Sequence, residues 1–357
     1  MKIVLIGAYG YTAKLICKLL HENKIAFDIA GINPKKLSEL TTQFSYINKT
    51  NLIDLRHSLG LQALINYYDI FINCAGPFTE ESSGFIEQLA KTKNKIYFDI
   101  SGELEFVKKS REENHKLALE NQSTIVHACA FESLLVDLGL KILSERTKNF
   151  VNIKTYYQFD KSRPSPGTKI TMKLNNLRKQ TYFSDSVWQG FDNQKTQHNF
   201  CLSGEGNYIA VAYPLPEIAF AQWQYPCGNI GSYLLLAKDE ALFIGKTKND
   251  DSKNSSETLA DLKTRKTAGP SELERTKQKF RIIIQTDSNL SNASECLMIK
   301  GGDMYLITAK IILLAVESVL KSKPNFFGVV NPALLFIGKE QSILKKLSLT
   351  SNQSTIV

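Results

Sequence analysis

The chain has 357 residues, of which 43% are hydrophobic and 22% charged, a composition that excludes a mostly disordered protein. At about 150 residues per domain, this length predicts two domains. Six cysteines are present and no two of them stand two residues apart, which argues against a zinc cage or a disulfide framework and predicts reduced thiols.

The net charge of +9 is concentrated in the second part of the chain. Residues 1–150 hold 18 basic and 17 acidic side chains, whereas residues 151–357 hold 26 and 18. Such an excess attracts an anionic substrate or an anionic membrane surface, although a solvated lysine-rich surface explains it as well. Because no basic run is interleaved with aromatic residues, nucleic acid is not expected as a partner.

The hydropathy of the chain argues against a membrane span. The best candidate, 305–320, is interrupted by Lys310 and Glu317 and falls short of the roughly 18 uninterrupted apolar residues that a span needs. The N-terminal MKIVLIGAYG becomes glycine-rich after too short an apolar run for a secretory signal. We therefore expect a cytoplasmic protein.

The first 130 residues alternate short apolar runs with amphipathic stretches of helical length. This alternation predicts strands at 2–6, 27–32, 70–74, 96–100 and 124–127, and helices at 11–20, 34–44, 84–90 and 111–120. Strands and helices that alternate in this way are connected by right-handed crossovers, so we predict an α/β domain with a Rossmann-type parallel sheet.

The pattern changes after residue 130. The sequence predicts a helix over 131–143, extended segments at 151–159, 204–213, 232–236 and 279–286, and a second apolar helix over 305–320. Extended segments of this kind are typical of a mixed or antiparallel sheet, so we predict a second α+β domain. The polar stretch near 246–269 is expected to be a mobile surface loop.

A glycine-rich turn directly follows the first predicted strand and opens the first helix. Its motif is Gly7-Ala8-Tyr9-Gly10-Tyr11-Thr12. Glycine at the first position permits a tight turn, glycine at the fourth lets the backbone approach a pyrophosphate, and the helix start supplies N–H donors. The turn therefore predicts a dinucleotide-binding site formed by Gly7, Tyr9, Gly10, Tyr11 and Thr12, with a sharp turn that binds no ligand as the alternative.

The end of the second strand bears on the choice between NAD and NADP. An NAD site has an acidic residue there that accepts from the ribose hydroxyls. This chain has Asn33, Lys35 and Lys36 instead, while Asp28 lies at the opposite end of the strand. We predict NADP, bound in part by Asn33 and Lys35, with NAD as the alternative. Lysines that only face solvent at a helix start are the competing interpretation.

The residues Asn73, Ala75, Gly76 and Pro77 end the next central strand. Its carboxyl end should face the same crevice as the glycine-rich turn, where the strand order reverses. Gly76 permits close backbone approach, and Asn73 can hydrogen-bond a ribose or a carboxamide. We predict that this segment contacts the cofactor, although glycine–proline after a strand is also an ordinary turn.

Four segments form an ordered pattern: GAYGYTAKL (7–15), FINCAGPF (71–78), YFDISGELEF (97–106) and VHACAFESLLVDLGL (126–140). Weaker matches follow at 165–174, 268–277, 301–310 and 326–338. The pattern resembles the saccharopine dehydrogenase-like oxidoreductases, particularly the branch with the trans-acting enoyl reductases. This resemblance implies a dinucleotide-binding Rossmann domain of residues 1–130 and about 305–357, and a substrate-side domain of residues 131–304.

The chain departs from the pattern of this family at four positions. Ala13, Ile32, Ala130 and Glu132 stand where the family usually has Gly, Arg, Gly and Asp. Loss of the arginine at 32 weakens the phosphate contact expected of an NADP site. The change to glutamate at 132 moves a carboxylate by one methylene in a segment that should border the substrate.

Hydride transfer to a C=C or C=N bond needs an acid that delivers the accompanying proton. The candidates are Glu103, which follows the predicted strand 96–100, and His127 and Glu132, which lie at and after the end of the predicted strand 124–127. Glu103 has an alternative role as first-turn charge at a helix start, and His127 as a buried core histidine. No acid–base pair stands out.

Five further residues are candidates for contact with the substrate: Ser101, Phe131, Ser133, Gly167 and Thr168. In the second domain, Ser165-Pro-Gly-Thr168 precedes a helix and can hold an anionic or carbonyl group of the substrate. An ordinary N-cap with proline in the first turn explains the same motif.

Tyr157 and Lys161 have the tyrosine-x-x-x-lysine spacing of short-chain dehydrogenases. Those enzymes need the pair one turn apart on a helix. The surrounding alternation predicts a strand, which separates the two residues by about 13 Å, so we reject them as a catalytic pair.

These features predict a reductase that uses NAD(P)H and acts in a crevice between the two domains on an enoyl or imine group of a small or acyl-linked substrate. One alternative is a saccharopine-type amino-acid dehydrogenase. Another is a non-catalytic protein that binds a cofactor or a membrane surface. We expect no metal, and we count a peripheral membrane contact and a homodimer among the expected associations.

Overall fold

The computed structural model describes residues 1–57, 60–79, 82–147, 149–177, 181–190, 197–202, 206–237, 269–288 and 291–356. The chain divides into two compact units. The first comprises Met1–Leu138 and Asp303–Leu347, and the second comprises Gly139–Gly302 and Ser348–Val357.

The elements alternate regularly in the first part of the chain. Up to residue 147 they are β1 (Ile3–Ile6), α1 (Tyr11–Glu22), β2 (Phe27–Gly31), α2 (Pro34–Gln43), β3 (Ile47–Leu52), α3 (Leu61–Tyr67), β4 (Ile70–Asn73), α4 (Ser83–Ala90), β5 (Ile96–Asp99), α5 (Leu104–Glu120), β6 (Thr124–Val126) and α6 (Phe131–Ser144).

Strands predominate in the second part of the chain. The elements there are β7 (Phe150–Asp160), α7 (Pro166–Leu177), β8 (Thr181–Ser184), β9 (Val187–Gly190), β10 (Gln197–Leu202), β11 (Gly206–Ala212), α8 (Glu217–Gln224), β12 (Asn229–Leu236), α9 (Glu272–Lys277), β13 (Lys279–Ser288), β14 (Ser291–Gly302), α10 (Met304–Lys321), β15 (Gly328–Val330), a 3-10 helix (Pro332–Phe336), α11 (Glu340–Lys346) and β16 (Thr350–Ile356).

The first unit is built on a seven-stranded sheet with the order β15-β6-β5-β4-β1-β2-β3, in which all pairs are parallel. Every residue of β1, β4 and β5 is buried, as expected for strands covered on both faces. The chain runs outward from β1 through β2 to β3 and then returns to β4 on the other side of β1. The predicted Rossmann-type parallel sheet is therefore confirmed.

The second unit contains a nine-stranded sheet with the main order β10-β11-β12-β7-β13-β14-β16. Strands β12 and β7 run parallel, whereas the other pairs along this order are antiparallel. The prediction of a mixed sheet is confirmed. Residues 246–268 of the predicted mobile loop lie outside the described residues.

The domain boundary near the C-terminus needs a correction. The sequence analysis assigned all of 305–357 to the first domain, but Ser348–Val357 belongs to the second unit. The reason is that β16 forms an antiparallel ladder with β14 from Thr350, opposite Lys300, to Ile356, opposite Ser294.

Tyr157 lies in β7 and is fully buried, with its hydroxyl donating to Glu217 Oε1 at 2.6 Å. Lys161 follows the end of that strand with φ +53°. The rejection of the tyrosine–lysine pair is therefore confirmed, because the two residues do not share a helix turn.

Among the described residues, no helix combines the length and the apolar character needed to cross a bilayer.

Candidate functional site

The bend between β1 and α1 is closed by its own backbone. Gly7 N donates to Ala30 O at 2.9 Å, and Gly10 N donates to Gly7 O at 2.9 Å. Gly7 has φ +71°, and a Cβ on it would lie 2.7 Å from Ala75 N. Residue 7 must be glycine for two reasons. Its backbone is left-handed, and the chain after β4 lies too close to it to leave room for a side chain.

Gly10 precedes α1 and offers no side chain that could accept from the first N–H groups of the helix. Helix starts leave such groups without intrahelical partners, and they bind anions well. The adjacent Tyr11 and Thr12 are half-buried. The ring of Tyr11 packs edge-on against Tyr305 of α10, with centroids 4.9 Å apart, and thereby anchors the helix start.

The bend lies at the point where the strand order reverses. Strands β1 and β4 are neighbours, and Cys74 N extends their ladder by donating to Ile6 O at 2.9 Å. The carboxyl ends of both strands therefore meet at this edge of the sheet. In open α/β sheets, ligands bind in the crevice at such a point.

Tyr9 points from the bend to the end of the neighbouring strand β2. Its hydroxyl oxygen accepts from Ile32 N at 3.2 Å. A Cβ on Gly31 would lie 2.7 Å from the Tyr9 ring, so the ring packs directly on the Gly31 backbone. Lys36 Nζ lies 5.3 Å from the centre of the same ring.

Asn33 has a structural role that the sequence analysis did not assign to it. Its side-chain oxygen accepts from Lys36 N at 3.0 Å and caps α2. Lys35 and Lys36 are exposed, whereas Asp28 is buried near the start of β2 and accepts from the Tyr68 hydroxyl at 2.5 Å. No carboxylate therefore stands among residues 31–36 at the end of β2.

Asn73 is buried and bonded within the protein. Its amide nitrogen donates to Tyr97 Oη at 3.0 Å, and its amide oxygen accepts from Ala75 N at 2.9 Å. Both polar ends of Asn73 therefore hold the turn after β4, and its contact with a ribose or a carboxamide stays a prediction. Next in the chain, Gly76 is exposed, Pro77 is half-buried, and the bond between them is cis.

A fully buried carboxylate, Asp99, ties together the ends of β5 and β6. Its Oδ1 accepts from Ser101 N at 3.0 Å, from Ser101 Oγ at 2.7 Å and from Ala128 N at 2.8 Å. Its Oδ2 accepts from Tyr97 Oη at 3.0 Å and from His127 Nδ1 at 2.6 Å. Through Tyr97 this network reaches Asn73 and the turn after β4.

Asp99 stays ionised in spite of its burial. Burial raises the pKa of a carboxyl group, but the charge of His127 and the hydrogen bonds from His127 and Ser101 outweigh it, so the pKa of Asp99 lies below its ordinary value. Burial and the nearby Asp99 charge raise the pKa of Tyr97 well above its usual range.

Two of the predicted site residues belong to this network. His127 is fully buried between Asp99 and Ser110, whose Oγ lies 2.7 Å from Nε2. Ser101 is 1% exposed and its hydroxyl is bonded to Asp99. His127 thus has the buried position that the sequence analysis gave as the alternative to a proton donor. Both residues hold strand ends in place, and their roles in catalysis and substrate contact stay predictions.

Glu103 is also buried, at 2% exposure. Its carboxylate accepts from Phe78 N at 3.3 Å and from Gly102 N at 2.8 Å. It therefore connects the residue before α5 to the chain that follows Gly76 and Pro77.

Three further predicted residues stand in the first turn of α6. Phe131 and Ser133 are buried, and Phe131 N donates to the Thr308 hydroxyl of α10 at 3.3 Å. Glu132 between them is half-buried. Of the three candidate proton donors, Glu132 is the most exposed.

Gly167 and Thr168 belong to the second unit, at the start of α7. Thr168 N donates to Ser165 Oγ at 3.2 Å, and the two hydroxyl oxygens lie 3.0 Å apart. Ser165 thus caps the helix and Pro166 occupies its first position, so the N-cap interpretation of this motif is the one observed.

Arg56 is a potential site residue that the sequence analysis missed. It follows β3, whose end lies beside β2, since Ile53 N donates to Gly31 O at 3.0 Å. Its guanidinium is bonded to Asp54 through Nε and Nη2, and this hydrogen bond lowers the pKa of Asp54 to about 2. Ile47 and Leu52 are the only apolar residues of β3, so hydropathy did not indicate a strand there. Without that strand, nothing in the sequence placed Arg56 near the end of β2.

The residues at the bend fit the diphosphate of a dinucleotide. Gly7 leaves room for the backbone where a Cβ would collide with Ala75, and Gly10 presents the helix start without a side chain. These are the roles that the first two glycines play in dinucleotide sites.

The chain matches no protein-family model. It is 29% identical over 152 residues to a probable mitochondrial saccharopine dehydrogenase-like oxidoreductase of Arabidopsis thaliana, over 39% of this chain and 33% of the relative. It is 29% identical over 151 residues to a trans-acting enoyl reductase of Mycobacterium tuberculosis, over 41% of this chain and 36% of the relative. A lipid droplet localized protein of Caenorhabditis elegans is 26% identical over 159 residues, 42% of this chain and 36% of the relative.

Among solved structures, apo saccharopine dehydrogenase (L-Glu forming) from Saccharomyces cerevisiae matches with a TM-score of 0.66 at 10% identity over 100% of both chains, a likeness of fold alone. The matches to the sequence relatives cover only about a third of each relative's length. The predicted resemblance is confirmed: the chain is similar in sequence to saccharopine dehydrogenase-like oxidoreductases and trans-acting enoyl reductases, and it shares the fold of saccharopine dehydrogenase.

Proposed function

We propose that the chain is an NAD(P)H-dependent oxidoreductase, and specifically a reductase that acts on an enoyl or imine group of a small or acyl-linked substrate. The observation that carries this proposal is the bend at residues 7–12. There the start of α1 has no side-chain cap, and the backbone of Gly7 lies close to Ala75. This bend lies where the strand order reverses. The names of the Arabidopsis and Mycobacterium relatives support the same reaction class.

A bound NAD(P)H would supply the hydride for the reduction of the double bond, and a protein group would supply the accompanying proton. The backbone N–H groups at the start of α1 would hold the diphosphate. We assign the proton donor to Glu132, because it is half-buried at the start of α6, whereas Glu103 and His127 are almost fully buried. Asp99 and Asn73 act as positioning residues for the strand ends around the site.

We propose NADP rather than NAD as the preferred cofactor. Residues 31–36 at the end of β2 include Lys35 and Lys36, both exposed, and no carboxylate. A carboxylate there would accept from the 2′-hydroxyl of NAD and repel the 2′-phosphate of NADP.

The proposal is tested by titrating the purified protein with NADPH and NADH, followed by turnover assays. We expect NADPH to bind with a dissociation constant below about 1 mM and to be oxidised by a 2-enoyl thioester. If NADPH is oxidised in the presence of lysine and a keto acid but not in the presence of the thioester, the protein is an amino-acid dehydrogenase and not an enoyl reductase. Failure to bind either dinucleotide would contradict the proposal.

The substitution Asn33→Asp is expected to reverse the cofactor preference. Aspartate caps a helix as well as asparagine does, so α2 should remain intact. The new carboxylate at the end of β2 should weaken NADPH binding about tenfold or more relative to NADH. Asn33→Ala is the control, since it removes the cap without adding charge. If both variants change the preference for NADPH over NADH equally, the carboxylate is not responsible.

For the location we propose a reducing compartment, the cytoplasm. All six cysteines are unpaired and four of them are buried, which fits reduced thiols. The homodimer and the peripheral membrane contact stay predictions, which light scattering and co-sedimentation with anionic vesicles can check.

A further inference from the structure

We propose that Tyr9 and Lys36 together form the site for the 2′-phosphate of the adenosine half of NADP, with Tyr9 as the residue that selects NADP over NAD. This inference rests on the proposed oxidoreductase function. It assigns the selection of the cofactor to a residue of the glycine-rich bend instead of to a side chain of β2.

The Tyr9 hydroxyl lies beside the end of β2. It lies 3.2 Å from Ile32 N, the first backbone N–H after β2. In dinucleotide-binding folds, the residue that recognises the adenosine ribose stands at this strand end. The hydroxyl of Tyr9 therefore lies beside the strand end at which an NAD-specific protein carries its carboxylate.

The Tyr9 hydroxyl can donate a further hydrogen bond. A phenol oxygen that accepts from Ile32 N still carries its own proton to donate. A phosphate group presents three acceptor oxygens and a charge near −2, and it gains more from such a donor than a neutral ribose hydroxyl does. The phenol therefore favours a phosphorylated ribose.

A positive charge, that of Lys36, lies close to the Tyr9 ring. Lys36 Nζ lies 5.3 Å from the centre of the Tyr9 ring, and the cap that Asn33 provides to Lys36 N fixes the backbone of that lysine. Lys35 is exposed on the same helix turn. Arg56, after β3, is compensated by its ion pair with Asp54. Lys36 is therefore the cation that acts with Tyr9.

Strand β2 ends in a glycine, Gly31, which leaves room for the Tyr9 ring. The Tyr9 ring packs where a side chain on residue 31 would be, because an ideal Cβ on Gly31 would lie 2.7 Å from the ring. Even alanine at this position must displace the ring. Gly31 thus holds Tyr9 in the orientation that the 2′-phosphate site requires.

The test measures dissociation constants for NADPH and NADH by fluorescence titration of the wild type and of four variants: Tyr9→Phe, Gly31→Ala, Lys36→Gln and Lys18→Gln. We expect Tyr9→Phe and Lys36→Gln to weaken NADPH binding about tenfold and NADH binding less than about twofold. Gly31→Ala keeps the hydroxyl but moves the ring, and it should act in the same direction. The control, Lys18→Gln, changes an exposed lysine of α1 that is paired with Glu22, and it should leave the ratio of the two constants within about twofold of the wild type.

Circular dichroism of each variant checks that the fold is retained. If Tyr9→Phe weakens both dinucleotides equally, or neither of them, the assignment of Tyr9 is overturned while the proposed oxidoreductase function stands. If the wild type binds neither NADPH nor NADH, the proposed function fails and this inference fails with it.

Discussion

Gly10→Trp is expected to abolish the binding of both NADPH and NADH while leaving the protein folded. Gly10 has φ −62° and ψ 159°, a backbone conformation open to any residue. A Cβ on it would meet Gly7 O at 3.1 Å, which requires a shift of a few tenths of an ångström. The indole ring would then fill the space in front of the first N–H groups of α1, where the diphosphate should lie.

The measurement is a fluorescence titration with each dinucleotide up to about 1 mM, where we expect no saturable binding. Gly84→Trp is the matched control, because Gly84 is exposed in the first turn of α4 and a Cβ on it would meet nothing within 4 Å. The control should bind like the wild type. Unchanged binding by a folded Gly10→Trp protein would contradict a diphosphate site at the bend.

Asp99→Asn is expected to lower the free energy of unfolding of the first unit by about 3–5 kcal/mol. The carboxylate accepts five hydrogen bonds, and its partners include His127 and Ser101. An asparagine amide nitrogen would face donors instead of accepting from them, and His127 Nδ1 would lose a carboxylate partner that lies 2.6 Å away. Urea unfolding followed by circular dichroism measures the loss.

The control for this prediction is Glu87→Gln. Glu87 pairs with Lys91 on the surface of α4, where both side chains are about half exposed, so its loss should change stability by no more than about 0.5 kcal/mol. Equal stability of Asp99→Asn and Glu87→Gln would show that the buried network does not stabilise the fold.

The stabilisation by Asp99 should also depend on pH. Its pKa is lowered in the folded protein, so the unfolded state binds more protons as the pH falls. The stability difference between the wild type and Asp99→Asn should therefore be complete above about pH 5 and shrink below about pH 4. A difference that grows on acidification would contradict an ionised Asp99.

The parallel sheet could be predicted from the sequence because its central strands are buried on both faces. Continuous apolar runs such as 3–6 and 70–73 follow directly from that burial. The edge strand β3 escaped prediction, since the residues between Ile47 and Leu52 are polar and largely exposed. Strand β16 escaped for a similar reason: TSNQSTI carries no apolar alternation and is placed by its ladder with β14.

The candidate site could be predicted only where a backbone requirement defines it. The need for glycine at residues 7 and 10 follows from the turn itself and from the strand before it. The partners of Asn73 and His127 could not be predicted, because a polar residue at a strand end looks the same whether it faces a ligand or a buried side chain. Their partners, Tyr97 and Ser110, are 24 and 17 residues distant in the chain.

The most direct test of the account is an experimental structure of the protein with NADPH. We expect the diphosphate oxygens to lie within hydrogen-bond distance of the backbone N–H groups at the start of α1, in the bend formed by residues 7–12. The 2′-phosphate should lie beside Tyr9. A nucleotide bound elsewhere, or a bend that stays empty at a saturating concentration, would contradict it.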